Sequence, residues 1–509
     1  MATLVKQEIN RGAGVLMPIS ALPSAYGIGT LGVESFRFVD FLTRIGCCYW
    51  QVLPVGPTSF GDSPYQSFSA FAGNPYFIDL DVLVTEGLLE ADELKNMVWH
   101  KKSDKIDYAS VYNLRFVVLK KAYARSTHKE AKEFQSFCKK NEFWLRDYSL
   151  YMAIKGHFAN KEWSLWDEDI RNHKKNAVTD YTKLLSDEID FWEFCQFKFR
   201  EQWDKVKAYA NDLGIQIIGD IPLYVSQDSS DVWVHHDLFE LDQRKNPINV
   251  AGVPPDVFSA DGQRWGNPLY RWDVMEQKDF GWWRERMKMS AGLYDIIRID
   301  HFIGVVNYYS IPSACKTAVG GSWRTGPGRK LTDVIKESIG EAKIIAEDLG
   351  VITPNVRQLI RETGFPGMKI LMFGIDGPAN HEYLPHNYKD TNLIAYTGTH
   401  DNETLVGYLN QKTEEELAFM YRYFNVSTRE ELPYAIIRVL YSSIADVVIV
   451  QMQDLLRLDN KARMNFPSTI GNNWQWRMKK SQYKELNEDI LLEYSQLYTR
   501  SMNQGSSHM

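Results

Sequence analysis

The sequence predicts an α/β protein built on a (β/α)8 TIM barrel with large insertions between strands. Eight short, strongly apolar segments read as buried strands, each ending in polar or turn residues. Helical or loop segments separate most of them, as eight parallel strands with crossover connections require. Periodicity alone also allows an open doubly wound sheet. The count of eight and the segment lengths favour the barrel.

The first two strands and the helix between them form a βαβ unit near the N-terminus. The strand segments are Gly14–Leu22 and Cys48–Pro54, and the apolar positions of Val33–Ile45 repeat at the spacing of one helix face. The remaining predicted strands are Ile215–Asp220, Ile296–Asp300, Lys343–Glu347, Met368–Phe373, Asn392–Tyr396 and Asp446–Gln451.

Two of the connections are long enough to be insertions at the C-terminal face of the barrel. One spans about 59–214 and is largely helical in pattern, with many Lys, Glu and aromatic residues. The other, 226–294, follows the third strand. We expect residues 1–503 to form a single barrel domain, whereas 504–509 resemble a tag remnant left by cloning.

Acidic residues follow four of the predicted strands. They are Asp220, Asp300, Glu347 and Asp401, and three basic side chains lie beside them in the sequence: Arg298, His301 and His400. The C-terminal ends of barrel strands converge on one mouth, so the four acids are expected to meet there. A lone strand-end acid is more often a helix or turn cap. Four acids with cations beside them favour a site that performs acid–base and nucleophilic chemistry.

Glycosidic chemistry needs two carboxyl groups with different tasks. One carboxylate attacks the anomeric carbon or supports its charge, and one carboxylic acid protonates the departing oxygen. Asp300 and Glu347 end the fourth and fifth strands, so a barrel places them as neighbours across the mouth.

Bulk properties exclude several classes of protein. The net charge of −7 and pI near 5.9 argue against nucleic acid as a partner. Five scattered cysteines without a CxxC pattern indicate reduced thiols in a cytoplasm, not a disulfide framework or zinc site. Neither a signal peptide nor an apolar run of bilayer length is seen. The aromatic content of 13% suits sugar stacking, although large cores also use aromatic residues.

Two other motifs are similar to cofactor or metal sites but lack residues that such sites need. Gly27–Gly32 matches GxGxxG between a strand and a helix, but the second strand ends Val52–Leu53–Pro54 without the acid of a dinucleotide site. The glycine-rich motif Gly27–Gly32 is better interpreted as a tight loop over the barrel mouth. His235–His236–Asp237 lacks a third ligand at useful spacing. We therefore predict no metal and no cofactor.

An ordered set of motifs extends nearly from end to end of the chain. The motifs include GDSPYQS at 61–67, GVPPD at 252–256, GQRWGNP at 262–268, RIDHF at 298–302, AEDLG at 346–350, GTHDN at 398–402 and RMN at 463–465. The set resembles the amylomaltases, or disproportionating enzymes, of glycoside hydrolase family 77. That family lacks a C-terminal β domain, and this chain likewise ends soon after its eighth predicted strand, in helical Lys484–Leu497.

The resemblance implies transfer of α-1,4-glucan segments to glucose or another glucan by retaining double displacement. It implies Asp300 as the nucleophile, Glu347 as the general acid and then base, and Asp401 as a third acid that holds ring hydroxyls of the distorted sugar. Arg298 is implied to hydrogen-bond the nucleophile and keep it ionised. The implied sugar contacts are Ser63, Tyr65, Asp220, Gln263, Trp265, His301, His400 and Asn465. One position departs from the pattern, because Ser468 stands where many relatives have glycine.

Two other functions remain open on the residues alone. A glucan hydrolase of the amylase type shares the first chemical step and differs only in letting water attack the intermediate. A silent glucan-binding protein has no need of the trio Asp300, Glu347 and Asp401, so the intact trio argues against it. The expected ligands are maltodextrins, maltose and glucose, and the expected state is a monomer or small homo-oligomer.

Overall fold

The computed structural model describes residues 6–59, 61–256 and 259–501, so the remnant-like residues 504–509 lie outside the described part. The strands are numbered along the chain within these ranges. They are β1 Gly12–Leu16, β2 Tyr49–Gln51, β3 Gln216–Ile221, β4 Asn249–Val253, β5 Gln263–Pro268, β6 Ile296–Ile299, β7 Asn307–Pro312, β8 Ser322–Thr325, β9 Lys343–Ala346, β10 Gly367–Ile370, β11 Leu393–Tyr396 and β12 Val447–Gln451.

Eight parallel strands form the predicted barrel. Their order is β10-β11-β12-β1-β2-β3-β6-β9, and every neighbouring pair is parallel. The first and last strands of this order meet where the Ala346 amide donates to the Pro366 carbonyl at 3.0 Å, and the Met368 amide donates to Asp348 Oδ1 at 2.7 Å. These bonds join β9 to the start of β10 and bring the sheet to a nearly closed ring. The barrel is confirmed, and the open sheet is not.

Helices cover the outside of the barrel and fill most of the first insertion. Pro354–Thr363 illustrates the local signals: Thr353 caps its first turn, Pro354 occupies the first position, and Gly364 ends it at φ 73°. The α-helices are Val33–Arg44, Leu80–Thr85, Asp92–Lys95, Tyr108–Arg125, Lys132–Lys140, Leu145–His157, Glu168–Arg171, Lys175–Leu184, Ser186–Asp212, Ser230–Val234, Trp272–Gln277, Gly281–Leu293, Arg329–Ser338, Pro354–Thr363, Leu405–Asn410, Glu414–Phe424, Leu432–Ser442, Met452–Leu455 and Glu488–Leu497.

Three predicted strands extend three or more residues past the observed ones, and among them the second, predicted as Cys48–Pro54, is observed as Tyr49–Gln51. The first was expected to reach Leu22 but ends at Leu16, and Ile19–Ala21 forms a 3-10 turn instead. The sixth ends at Ile370, where Leu371–Phe373 begins another 3-10 turn. In both places buried apolar residues, among them Ile19, Ala21 and Leu371, continue past the paired part of the strand, although Phe373 is 45% exposed. Hydrophobicity therefore marks the core and not the strand boundary.

A second, antiparallel sheet was not predicted. Its order is β5-β4-β7-β8, with β4 and β5 in the second insertion and β7 and β8 in the connection after β6. All four residues of β8 are exposed, and their sequence lacks the alternation of apolar and polar residues that would predict a strand. Strands β4 and β5 contain glycines, which lower strand propensity. The sheet packs its own small core of Val250, Tyr309, Ile311 and Ala318. Through β5 it carries Gln263 and Trp265.

The first insertion and the C-terminal tail are joined to each other. The Ile106 amide donates to the Gln475 carbonyl at 2.7 Å, and the Tyr108 hydroxyl donates to the Trp474 carbonyl at 2.9 Å. The tail residue Trp474 in turn contacts the rings of Tyr65 and His400. Insertion and tail thus meet beside the barrel mouth. Within the described ranges, no helix is long and apolar enough to cross a membrane.

Candidate active site

The polar groups at the ends of β3 and β6 form a buried ion-pair network. Arg298 Nη1 lies 2.7 Å from both carboxylate oxygens of Asp220, and Nη2 lies 3.0 Å from Asp300 Oδ1. Strand pairing sets this geometry, since Asp220 and Arg298 are direct partners in the β3–β6 register. Asp300 follows β6 by one residue, and 30% of its side chain remains exposed. The guanidinium therefore bridges a buried acid and an accessible one.

Burial and charge act in opposite directions on this network. Burial alone would lower the pKa of the Arg298 guanidinium, but the carboxylates of Asp220 and Asp300 hold that pKa well above its usual value. Burial also raises the pKa of Asp220, and the charge of Arg298 opposes the rise. A permanent cation is thus fixed beside Asp300, where it compensates negative charge on that carboxylate.

Glu347 lies in a different environment from Asp300. It directly follows β9, is 7% exposed, and its pKa is raised to about 8 by burial, with a further contribution from the charge of Asp300. Its Oε2 accepts from the His301 amide and its Oε1 from the Leu349 amide, both at 2.7 Å. These two bonds fix the orientation of the carboxyl group. Glu347 can therefore hold a proton near neutral pH in a defined position.

Asp401 is positioned by the tail of the chain and not by its own strand. It lies five residues beyond the end of β11, and 47% of its side chain is exposed. Asn465 Nδ2 donates to Asp401 Oδ1 at 2.6 Å, while the other oxygen, Oδ2, lies 3.5 Å from His400 Nε2. The Asn465 main-chain amide also donates to the His400 carbonyl at 3.1 Å. The predicted residues Asp401, His400 and Asn465 are therefore in direct contact.

Tyr65 connects Asp220, at the end of β3, with His400, in the loop after β11. Its hydroxyl donates to Asp220 Oδ2 at 2.7 Å and lies 3.5 Å from His400 Nδ1. Its ring stacks on the His400 ring, with 5.1 Å between centroids. Ser63 belongs to the same loop and accepts a 3.3 Å hydrogen bond from the Tyr65 amide. The first insertion thus delivers the predicted pair Ser63 and Tyr65 to the barrel mouth.

The second sheet brings Gln263 and Trp265 to the barrel mouth beside His301, which follows β6. The Trp265 ring meets the His301 ring edge-on at 4.7 Å, and its indole nitrogen donates to Gln263 Oε1 at 3.1 Å. Burial lowers the pKa of His301 to about 4, so this imidazole is neutral at physiological pH. Its Nε2 is buried without a hydrogen-bond partner among the described residues. An unsatisfied polar atom beside an aromatic ring is suited to a ligand hydroxyl.

Two tail residues at the site were not predicted to have a role there. Trp474 is buried against Tyr65 and His400, with ring centroids 5.8 Å from each, and it adopts φ 63°. Arg463 donates to the main-chain carbonyls of Asp401 and Asn465. Arg463 belongs to the RMN motif at 463–465 that carries part of the family resemblance, but the contacts of both residues depend on how the tail folds back over the mouth. The motifs marked the segment without indicating what each side chain touches.

These features define a class of enzyme. Acids at the C-terminal mouth of a (β/α)8 barrel, one buried with a raised pKa and its neighbour paired with arginine, match the needs of glycosidic bond chemistry. The family model of 4-alpha-glucanotransferase matches residues 17–483. The chain belongs to the 4-alpha-glucanotransferase family, glycoside hydrolase family 77.

Individual relatives align with almost the whole chain in sequence, and a solved structure does so in fold as well. A 4-alpha-glucanotransferase of Streptococcus pneumoniae is 47% identical over 493 residues, which covers 96% of this chain and 97% of the relative. That of Thermus thermophilus is 43% identical over 481 residues, covering 92% and 95%. The solved amylomaltase of Streptococcus agalactiae in complex with acarbose is 43% identical, covers 96% of this chain and 100% of its own, and superposes with a TM-score of 0.93.

Proposed function

We propose that this chain transfers α-1,4-glucan segments from a maltodextrin donor to glucose or another glucan by retaining double displacement. The observation that carries the mechanism is the contrast between two neighbouring carboxyl groups. Glu347 is buried with a pKa of about 8, while Asp300 is accessible and paired with Arg298. One group is suited to give a proton and the other to attack, which is the division of labour that glycoside cleavage requires.

In the first step Asp300 attacks the anomeric carbon, and the bond from that carbon to the departing glycosidic oxygen breaks. The proton on Glu347 passes to the departing oxygen, so the leaving chain departs as an alcohol. In the second step an acceptor hydroxyl attacks the same carbon and gives its proton to Glu347, while the bond to Asp300 breaks. Two inversions leave the α configuration unchanged.

The other polar groups of the site have proposed roles in holding the sugar. Asp401, oriented by Asn465, accepts from ring hydroxyls and stabilises the distorted ring. Asp220 and Tyr65 hold Arg298 and His400 in place at the same ring. The neutral imidazole of His301 and the indole of Trp265 line the adjacent side. His400, Ser63 and Gln263 complete the proposed contacts with this and neighbouring sugars.

Transfer, and not hydrolysis, is tested with maltotriose. The pure protein is incubated with maltotriose, the products are separated by chromatography, and reducing ends are counted. A ladder of longer maltodextrins plus free glucose at a constant number of reducing ends supports the transferase. Maltose and glucose with rising reducing ends would instead establish a hydrolase, the alternative function, and no turnover at all would favour a binding protein. Asp300→Asn serves as the inactive control.

Finer properties are also proposed. We propose that residues 1–503 act as one catalytic unit, because the first insertion supplies Tyr65, the second supplies Trp265, and the tail supplies Asn465. A cytoplasmic location is proposed from the odd number and scattered positions of the cysteines. A monomer or small homo-oligomer is proposed as the assembly. The two chemical steps involve only side chains of the chain and the sugars, so no metal or cofactor is invoked.

A further inference from the structure

Arg463 makes contacts at the site that the proposed mechanism does not yet use. Its Nη2 donates to the Asp401 carbonyl at 2.7 Å and its Nε donates to the Asn465 carbonyl at 2.8 Å. Its guanidinium carbon also lies 4.3 Å from the centre of the Phe466 ring. One half-buried side chain thus ties together the main chains of two residues that are far apart in sequence and meet at the site.

Asp401 needs such a support because the barrel does not supply one. The last strand residue before it is Tyr396, and Asp401 stands in the loop that follows, with nearly half of its side chain exposed. Asn465 holds one carboxylate oxygen, but Asn465 itself lies on a tail segment with exposed neighbours. One main-chain bond, from the Asn465 amide to the His400 carbonyl, already joins the two segments, and Arg463 adds two more, to the carbonyls of Asp401 and Asn465.

We propose that Arg463 is a positioning residue for the transfer reaction, which fixes Asp401 and Asn465 so that the free oxygen of Asp401 meets the distorted sugar. Its hydrogen bonds reach Asp401 and Asn465 only through main-chain carbonyls, so it acts through these residues and not on the sugar. A planar guanidinium can bind two carbonyls in fixed directions, whereas a lysine ammonium on a flexible stem cannot reproduce that geometry. The proposal rests on the role assigned to Asp401 above.

The expected effect falls on kcat and not on KM. Asp401 is proposed to interact most strongly with the distorted ring, and displacement of a catalytic group by about 1 Å can cost on the order of 100-fold in rate. Arg463→Ala should therefore lower kcat for maltotriose disproportionation by about 10- to 100-fold, with KM changed by less than about threefold. Arg463→Lys should recover little of the loss, because charge alone is not the requirement.

Two further measurements separate positioning from a general structural role. Low millimolar guanidinium should raise the kcat of Arg463→Ala several-fold without affecting Arg463→Lys, because the added ion can occupy the vacated carbonyl pair. In an Asn465→Ala background, Arg463→Ala should cause a much smaller additional loss, since the pair it braces is already broken. Full multiplicative losses in that double variant, or a normal kcat for both single variants, would overturn the proposal.

Arg429 provides a matched control. It also donates to two main-chain carbonyls, those of Leu409 and Lys412, and to the Glu414 carboxylate, none of which belongs to the site. Arg429→Ala should lower the unfolding midpoint while kcat stays unchanged. Asp401→Asn distinguishes the two proposals from each other. If that variant is fully active, the role of Asp401 itself is wrong; if it is inactive while Arg463→Ala is normal, only the inference about Arg463 fails.

Discussion

Glu347 is predicted to control the pH dependence of both activity and stability, and Glu347→Gln tests both. Folding raises the pKa of this carboxyl from 4.5 to about 8, mainly through burial and secondarily through the charge of Asp300. One pKa unit corresponds to about 1.4 kcal/mol, so ionising the buried group costs the native state roughly 5 kcal/mol relative to the unfolded chain. The corresponding loss of stability accumulates between these two pKa values, because there the unfolded chain gives up a proton that the native state keeps.

The sign follows from proton binding. Between about pH 4.5 and pH 8 the native state retains the proton that the unfolded chain has lost, so stability falls as the pH rises through this window. Glutamine does not ionise and escapes this loss. It has only one acceptor oxygen, however, for the His301 and Leu349 amides, and one buried amide without a partner costs about 1–3 kcal/mol. The variant should be less stable by roughly 1 kcal/mol at pH 5 and more stable by roughly 2–4 kcal/mol at pH 9.

The assay is urea unfolding followed by tryptophan fluorescence at several pH values between 5 and 9. The difference in unfolding free energy between variant and wild type should change sign across this range, and wild-type kcat/KM should fall above about pH 8 as the general acid loses its proton. Glu341→Gln, an exposed glutamate just before β9, should show no such change. A stability difference that is constant with pH would refute the assignment of a raised pKa to Glu347.

Three other substitutions test separate parts of the site and the tail. Asp300→Asn should reduce turnover by at least about 1,000-fold, with the unfolding midpoint within a few degrees of wild type because Arg298 keeps its bonds to Asp220; near-normal turnover would disprove the nucleophile. Tyr65→Phe removes one buried hydrogen bond to Asp220 and should lower kcat/KM about 10- to 100-fold in initial-rate measurements, and an unchanged value would show that this bond is dispensable. Ser468 adopts φ 63°, so Ser468→Gly should raise the free energy of unfolding by about 0.5–1 kcal/mol in chemical unfolding. A lower value than wild type would mean that the Ser468 backbone is not strained.

The strand-end residues of the site were predictable because barrel geometry is regular. Once eight strands were recognised, the positions of Asp220, Asp300 and Glu347 at strand ends implied that they meet at one mouth. The ion pair of Arg298 with Asp220 follows from the β3–β6 register, whereas Asp300 is two residues beyond Arg298 in the same segment, where side chains share a face. In regular secondary structure the position of a residue in the sequence predicts its position in space, and strand register is enough to place these strand-end residues.

The loop residues of the site were predicted only through family resemblance. Tyr65, Trp265 and Asn465 arrive from two insertions and the tail, and no local pattern shows that such segments fold over the mouth. The antiparallel sheet that presents Trp265 was not predicted at all, because its edge strand β8 is exposed and lacks apolar alternation. The positions of these side chains follow from packing between distant segments, such as the bond from Tyr108 to the Trp474 carbonyl.

The sequence by itself determined the number of barrel strands, the placement of the acids after those strands and the family of the chain. Only the tertiary structure decided how the acids differ. Asp300 and Glu347 each stand one residue beyond a neighbouring strand, yet the first is accessible beside Arg298 and the second is buried with a raised pKa. The proton affinity of a carboxyl group depends on its desolvation and on charges close to it in space. Those quantities exist only once segments far apart in the sequence have packed around it.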